Sequence, residues 1–120
     1  MKRLAKEYNR FLYEDAPEQM EEVVFSKYLG KWLLLYHTRQ GETPGVYVLD
    51  DGHDMAEEFL RSIAFHTNTC PAFKTANVVQ KIDMLKEDFL KYKGIISEYI
   101  EVTEDVINGI CNIVLESYYK

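Results

Sequence analysis

Residues 78–117, VVQKIDMLKEDFLKYKGIISEYIEVTEDVINGICNIVLES, decide the fold class. Within them Val78, Ile82, Leu85, Phe89, Tyr92, Ile96, Tyr99, Thr103, Val106, Ile110, Ile113 and Ser117 recur at alternating steps of four and three. That spacing marks one face of an α-helix, and only Thr103 and Ser117 interrupt its apolar character. A second row, Val79, Leu90, Ile95, Ile100, Ile107, Val114 and Leu115, widens the stripe beyond a two-stranded seam. The pattern therefore predicts a bundle core rather than a simple coiled coil. Thr103, between Val102 and Glu104-Asp105, has the character of an N-cap that restarts a helix. Helices are expected near 76–101 and 103–118.

Working outward, Leu4, Tyr8, Phe11 and Leu12 form a one-sided stripe over residues 2–13, with Lys2, Arg3, Lys6 and Arg10 on the other faces. Asp15-Ala16-Pro17-Glu18 reads as the start of a second helix, with proline in the first turn, and Gly30 is its natural stop. Met20, Val23, Val24, Phe25, Tyr28 and Leu29 would supply its apolar side. Trp32–Tyr36 and Val46–Leu49 flank the turn cluster Gln40-Gly41-Glu42-Thr43-Pro44-Gly45, which predicts a hairpin over 31–49. Extending helix two through Gly30 to Thr38 would place a glycine inside a helix at a cost of roughly 1 kcal/mol. A third helix opens at Asp54 or His53 and runs to about His66, burying Met55, Phe59, Ile63 and either Ala64 or Phe65. Asn68–Lys74 reads as a connector, and Thr75 or Asn77 as the cap of the last helical region. The expected fold is mainly α: a single-domain helical bundle of about five helices over residues 1–120, with a short β-hairpin near 31–49.

A chain of 120 residues, 47% hydrophobic and 28% charged, can build one ordinary core without disulfides or metal. Its longest apolar run, Trp32–Tyr36, is too short to span a bilayer, and no apolar segment of a secretory signal follows Met1-Lys2-Arg3. The net charge of −6 opposes non-specific binding to nucleic acid and to anionic membranes. Cys70 and Cys111 have no CxxC spacing and read as free thiols, in keeping with a reducing, cytoplasmic setting.

Motifs that carry chemistry are few. His53 lies among Asp50, Asp51, Asp54 and Glu57, but no second histidine has ligand spacing and the glycine is misplaced for an EF-hand. The acids have a simpler use as caps and helix-dipole partners, so no metal is assigned. His66 and Cys70 are four apart, yet Pro71 breaks a shared helical face. No phosphate-cradling glycine loop or nucleophile elbow is present, and no cofactor is expected. Arg61-Ser62-Ile63-Ala64-Phe65-His66 has an Arg-x4-His spacing that resembles the short signature of the HEPN ribonucleases. In that family an arginine and a histidine attack RNA at a dimer interface, so the resemblance implies catalytic roles for Arg61 and His66. On a regular helix, however, five residues turn two side chains about 140° apart.

Acidic charge concentrates in residues 40–73, where Glu42, Asp50, Asp51, Asp54, Glu57 and Glu58 face Arg61 alone. Such a surface steers a basic partner. Nine tyrosines are a further interface signal, with Tyr28, Tyr92 and Tyr99 assigned to packing and Tyr118-Tyr119 to a possible C-terminal anchor. The expected function is a non-catalytic intracellular protein-binding domain that works by occupying a surface, as an immunity protein, phage-encoded inhibitor or assembly chaperone does. Asp50, Asp51, Asp54, Glu57 and Glu58 are its expected partner-binding residues. The alternatives are a HEPN-like ribonuclease using Arg61 and His66, or a structural, homo-oligomeric subunit of a larger assembly.

Overall fold

The computed structural model describes residues 1–37 and 45–118, without the side chains of Val114, Leu115, Ser117 and Tyr118. Five α-helices and a three-stranded antiparallel sheet appear among the described residues, so the protein is mainly helical but mixed rather than a pure bundle. Contacts along the chain gather into two compact units, Met1–Met55 and Ala56–Lys120.

The first unit opens with α1 (Lys2–Arg10), which runs on through one π-helical turn, Phe11–Asp15. Its buried side chains include Leu4, Tyr8, Phe11 and Leu12, the expected stripe. Pro17 disfavours the α region for Ala16, whose backbone leaves the helix at φ −137°, ψ 63°. The expected second helix does not form. Glu21–Ser26 is strand β1, paired antiparallel with β2 (Lys31–Tyr36), which pairs in turn with β3 (Gly45–Leu49). Val23, Val24 and Phe25 suit a pleated surface, and β2 offers an equally apolar strand six residues long to pair with. That non-local pairing overrides the weak helical spacing of Met20, Val23, Val24 and Leu29. Gly30 does not end a helix but closes the β1–β2 turn at φ +65°, a left-handed conformation that glycine adopts without steric cost. Tyr28, expected to pack, stands on that turn 96% exposed.

The expected hairpin over 31–49 is the β2–β3 pair, with Trp32 opposite Leu49 and Leu34 opposite Tyr47. Most of its turn, residues 38–44, lies outside the described residues. Register assigns the two faces, because directly opposed residues share a side. One face carries Val23, Leu34 and Leu49, which are buried, with Phe25 and Tyr47 exposed at its margins. Val24, Leu33, Leu35, Val46 and Val48 lie on the other, which is open: Val46 is 60% and Val48 38% exposed.

The helix α2 (Gly52–Thr69) is longer at its C-terminal end than expected, and α3 (Pro71–Thr75) occupies most of the rest of the expected connector. In the second unit α2 buries Phe59, Leu60, Ile63 and Ala64, leaving Phe65 exposed. Asn77 caps α4 (Val78–Ile96) in a capping box: its side chain accepts from the Gln80 N–H while the Gln80 side chain accepts from its own. Thr103 Oγ1 accepts from the Val106 N–H at 3.3 Å, at the start of α5 (Glu104–Tyr118). Leu85, Phe89, Tyr92, Ile96 and Ile110 of the four–three stripe are buried, and Tyr92 packs against Phe59 with ring centroids 5.1 Å apart. The stripe fails at its ends, and its second row divides: Ile95 is buried, whereas Val79 and Leu90 are not. Val78, Val79, Leu90 and Ile113 are exposed, so α4 and α5 bury a narrower face than a full bundle core requires.

Candidate functional site

The five acidic residues marked by the sequence have two separate local tasks. Asp51 and Asp54 serve the beginning of α2. Asp51 Oδ1 accepts the Asp54 N–H at 2.9 Å, and Asp54 Oδ2 accepts the Asp50 N–H at 3.2 Å. Side-chain oxygens at a helix start satisfy donors that the helix itself leaves unpaired. Asp50 also lies 3.8 Å from the Lys31 Nζ, in an exposed pair. Ligand atoms of Asp51, His53 and Asp54 come within 4.8 Å of one another. Because both carboxylates are engaged as caps, this closeness has a structural cause and assigns no metal. In the second unit Glu57 and Glu58 lie 3.2 and 3.8 Å from the Arg61 guanidinium, one helical turn away.

Those pairs bear on the ribonuclease resemblance. Arg61 and His66 both occupy α2, five residues apart, so helical geometry turns them about 140° from one another. Arg61 has two carboxylates of its own helix as partners. Cys70, the other partner considered for His66, is exposed at the start of α3, where its backbone is extended. Cys111 is buried, and burial pushes its thiol upward while the Lys86 charge pulls it back in part. A thiol held protonated is a poor nucleophile. Both cysteines are free.

Two features escaped the sequence reading. Glu22, on the open face of the sheet, binds two groups with one oxygen: Tyr13 donates to its Oε2 at 3.4 Å, and His37 Nε2 lies 2.9 Å from it. Partial burial and the Glu22 charge push the Tyr13 phenol upward. The signal was Glu22 on β1 and His37 directly after β2, invisible while residues 15–29 read as helix.

The other feature is the contrast between the sheet's two edges. At the β1 edge, Asn9 of α1 donates from Nδ2 to the Val23 carbonyl and accepts the Val23 N–H on Oδ1, each at 2.7 Å. One side-chain amide thus pairs both backbone groups of Val23, the middle of the three residues that β1 turns outward. These bonds also fix the phase of the ladder, since Val23 must turn its backbone groups away from β2. Backbone groups alternate along a strand, so Leu33 and Leu35 face β1, while Trp32, Leu34 and Tyr36 face β3. On β3, Gly45, Tyr47 and Leu49 therefore bond inward, and Val46 and Val48 turn their N–H and C=O groups outward. Nothing among the described residues pairs with them. This edge carries no charged residue from Gly45 to Leu49 and then runs into Asp50-Asp51.

No family, curated protein or solved structure matches this chain. No helix among the described residues is long and apolar enough to cross a membrane.

Proposed function

We propose that this chain is a protein-binding domain without chemistry of its own, and that it occupies its partner by strand addition along β3. One observation carries the reading. Val46 and Val48 present backbone donors and acceptors with no partner among the described residues, on an uncharged edge whose three central side chains are 38–60% exposed. Natural edge strands are commonly blunted by lysine, proline or a covering segment. Asn9 clamps the middle of the β1 edge at Val23, and β3 has no such clamp among the described residues. An added strand gains affinity from backbone bonds and specificity from alternate side chains. Its alternate residues would extend the apolar face formed by Val24, Leu33, Leu35, Val46 and Val48.

The partner segment is extended and basic at one end. Asp50 and Asp51 follow directly on Leu49, so a lysine or arginine preceding an antiparallel partner strand would lie beside them. Surface occupation of this kind suits an inhibitor, an immunity protein or an assembly chaperone. Charge at the end of the edge would raise the association rate and make it salt-sensitive.

The test is capture from the native cell with variants as the readout. Val48→Pro removes an outward N–H and leaves the β2–β3 ladder intact, which an edge strand tolerates; Val46→Lys is a second edge variant. A specific partner should be retained by the wild type and by Arg61→Ala, weakened by Asp50→Asn with Asp51→Asn, and lost from both edge variants. Retention by folded Val48→Pro and Val46→Lys would overturn strand addition. RNA cleavage by the purified chain that disappears in Arg61→Ala would overturn the binding reading itself and favour the ribonuclease.

A further inference from the structure

In the second unit a pocket of about 290 Å³ opens between α4 and the start of α5. One face of α4 forms its long wall: Lys86, Phe89, Leu90 and Lys93 stand at steps of three, one and three. Val102, Glu104 and Ile107 close the opposite side. Phe89 and Val102 are buried and make an apolar floor, while Leu90 is 65% exposed beside them. A long apolar side chain on the wall of a concave site, still open to solvent, marks a space that the fold has not filled.

The charges around this space differ from those of the chain. Lys86 Nζ donates to both carboxylate oxygens of Glu104, each at 3.2 Å, so these two charges cancel. Lys93, two turns further along α4, is exposed and has no ion pair among the described residues. The lining thus carries two cations and one anion, a net charge of +1 within a chain of −6. The lysines are about 10.5 Å apart along the helix axis, at 1.5 Å per residue. An apolar trough of that length with a single uncompensated cation at one end is complementary to an amphiphile bearing one negative charge.

We infer that this pocket binds a medium-chain carboxylate, its head on Lys93 and its chain along Leu90 and Ile107 over the floor of Phe89 and Val102. The volume sets the size. At about 30 Å³ for each non-hydrogen atom, the share one water takes in the liquid, it admits about ten such atoms, the size of octanoate. The inference is independent of the β3 edge and stands or falls without it.

Octanoate, octanol and octylammonium, titrated into the full chain and followed by methyl NMR and calorimetry, separate charge from mere apolarity. Octanoate should bind one to one and shift the methyls of Leu90, Val102 and Ile107, at least tenfold more tightly than octanol, with octylammonium weakest. Lys93→Glu, at an exposed position with no ion pair among the described residues, should remove that preference while Leu85 and Ile96 keep their shifts. Equal binding of octanoate and octylammonium would overturn the inference. So would the absence of saturable shifts at those methyls up to about 10 mM, near the affinity that about 0.3 kcal/mol per non-hydrogen atom gives a ten-atom ligand. A peptide C-terminus that binds there when octanoate does not would overturn it in favour of a protein ligand.

Discussion

Asn9→Ala removes one small, half-buried side chain, yet the structure gives it a large effect. Its amide makes two hydrogen bonds to Val23, both at 2.7 Å and both spanning fourteen positions of sequence. Each is worth about 0.5–1.5 kcal/mol net, and a donor or acceptor left unsatisfied costs about 1–3 kcal/mol. Water can reach part of this edge, which holds the sum near the lower figures, so about 2 kcal/mol is expected from urea unfolding. The loss should appear as a lower midpoint at unchanged slope. Native-state hydrogen exchange supplies the local readout: the Val23 amide should lose its protection in Asn9→Ala, whereas Leu34, bonded on the far side of the ladder, should change only as far as global stability does. Asn9→Asp keeps the acceptor for the Val23 N–H and sets a carboxylate against the Val23 carbonyl, so it should fall at least as far as alanine. A change below about 0.5 kcal/mol, with Val23 still protected, would refute both the edge assignment and the ladder phase derived from it.

Three further outcomes follow from the same packing. Thr67, 2% exposed, donates to the Asp88 carboxylate across α2 and α4; Thr67→Val should cost about 1–2 kcal/mol in thermal or urea unfolding, and Thr67→Ser distinctly less. Gly30→Ala meets no atom within 4 Å of the added Cβ but must hold φ +65°. A loss of about 1 kcal/mol is expected, with the β1–β2 register kept in amide NOEs. Burial raises the Cys111 thiol and, with Glu22, the Tyr13 phenol. In each case the unfolded chain releases its proton first, so the thiol's contribution to stability is lost as pH rises above 9.0 and the phenol's above 10.0. Cys111→Ala should flatten the early part of that alkaline decline, and at neutral pH a thiol reagent should modify Cys70 quickly and Cys111 only on unfolding.

Local, periodic features were legible in the sequence. Leu4, Tyr8, Phe11 and Leu12 shared a buried face as their spacing implied, and Asn77 and Thr103 capped helices as their positions implied. What failed was non-local. Residues 20–29 carry a spacing compatible with a helix, and only their pairing with Lys31–Tyr36 makes a strand of them. With β1 unseen, neither the open face nor the edges could be drawn, so the Asn9 clamp and the Tyr13–Glu22–His37 chain had no visible counterpart in composition. The acidic residues of 50–58 were legible as charge, but their hydrogen bonds at the start of α2 and ion pairs to Arg61 emerge only in three dimensions. Exposure of Val78, Val79 and Leu90 marks the other limit, since periodicity reports which residues share a side and not whether anything lies against it.

The two borders of the sheet differ: Asn9 clamps Val23 at one, and nothing among the described residues pairs with Val46 and Val48 at the other. If β3 accepts a strand from a second copy, that copy's border is consumed in the same act, and the six-stranded result ends at both margins in an asparagine. Growth stops at two, by closed two-fold symmetry, where a sheet open on both sides could propagate into a fibre. Asn9 thus also occupies the middle of that margin, and a chain lacking it would expose a second pairing position at Val23.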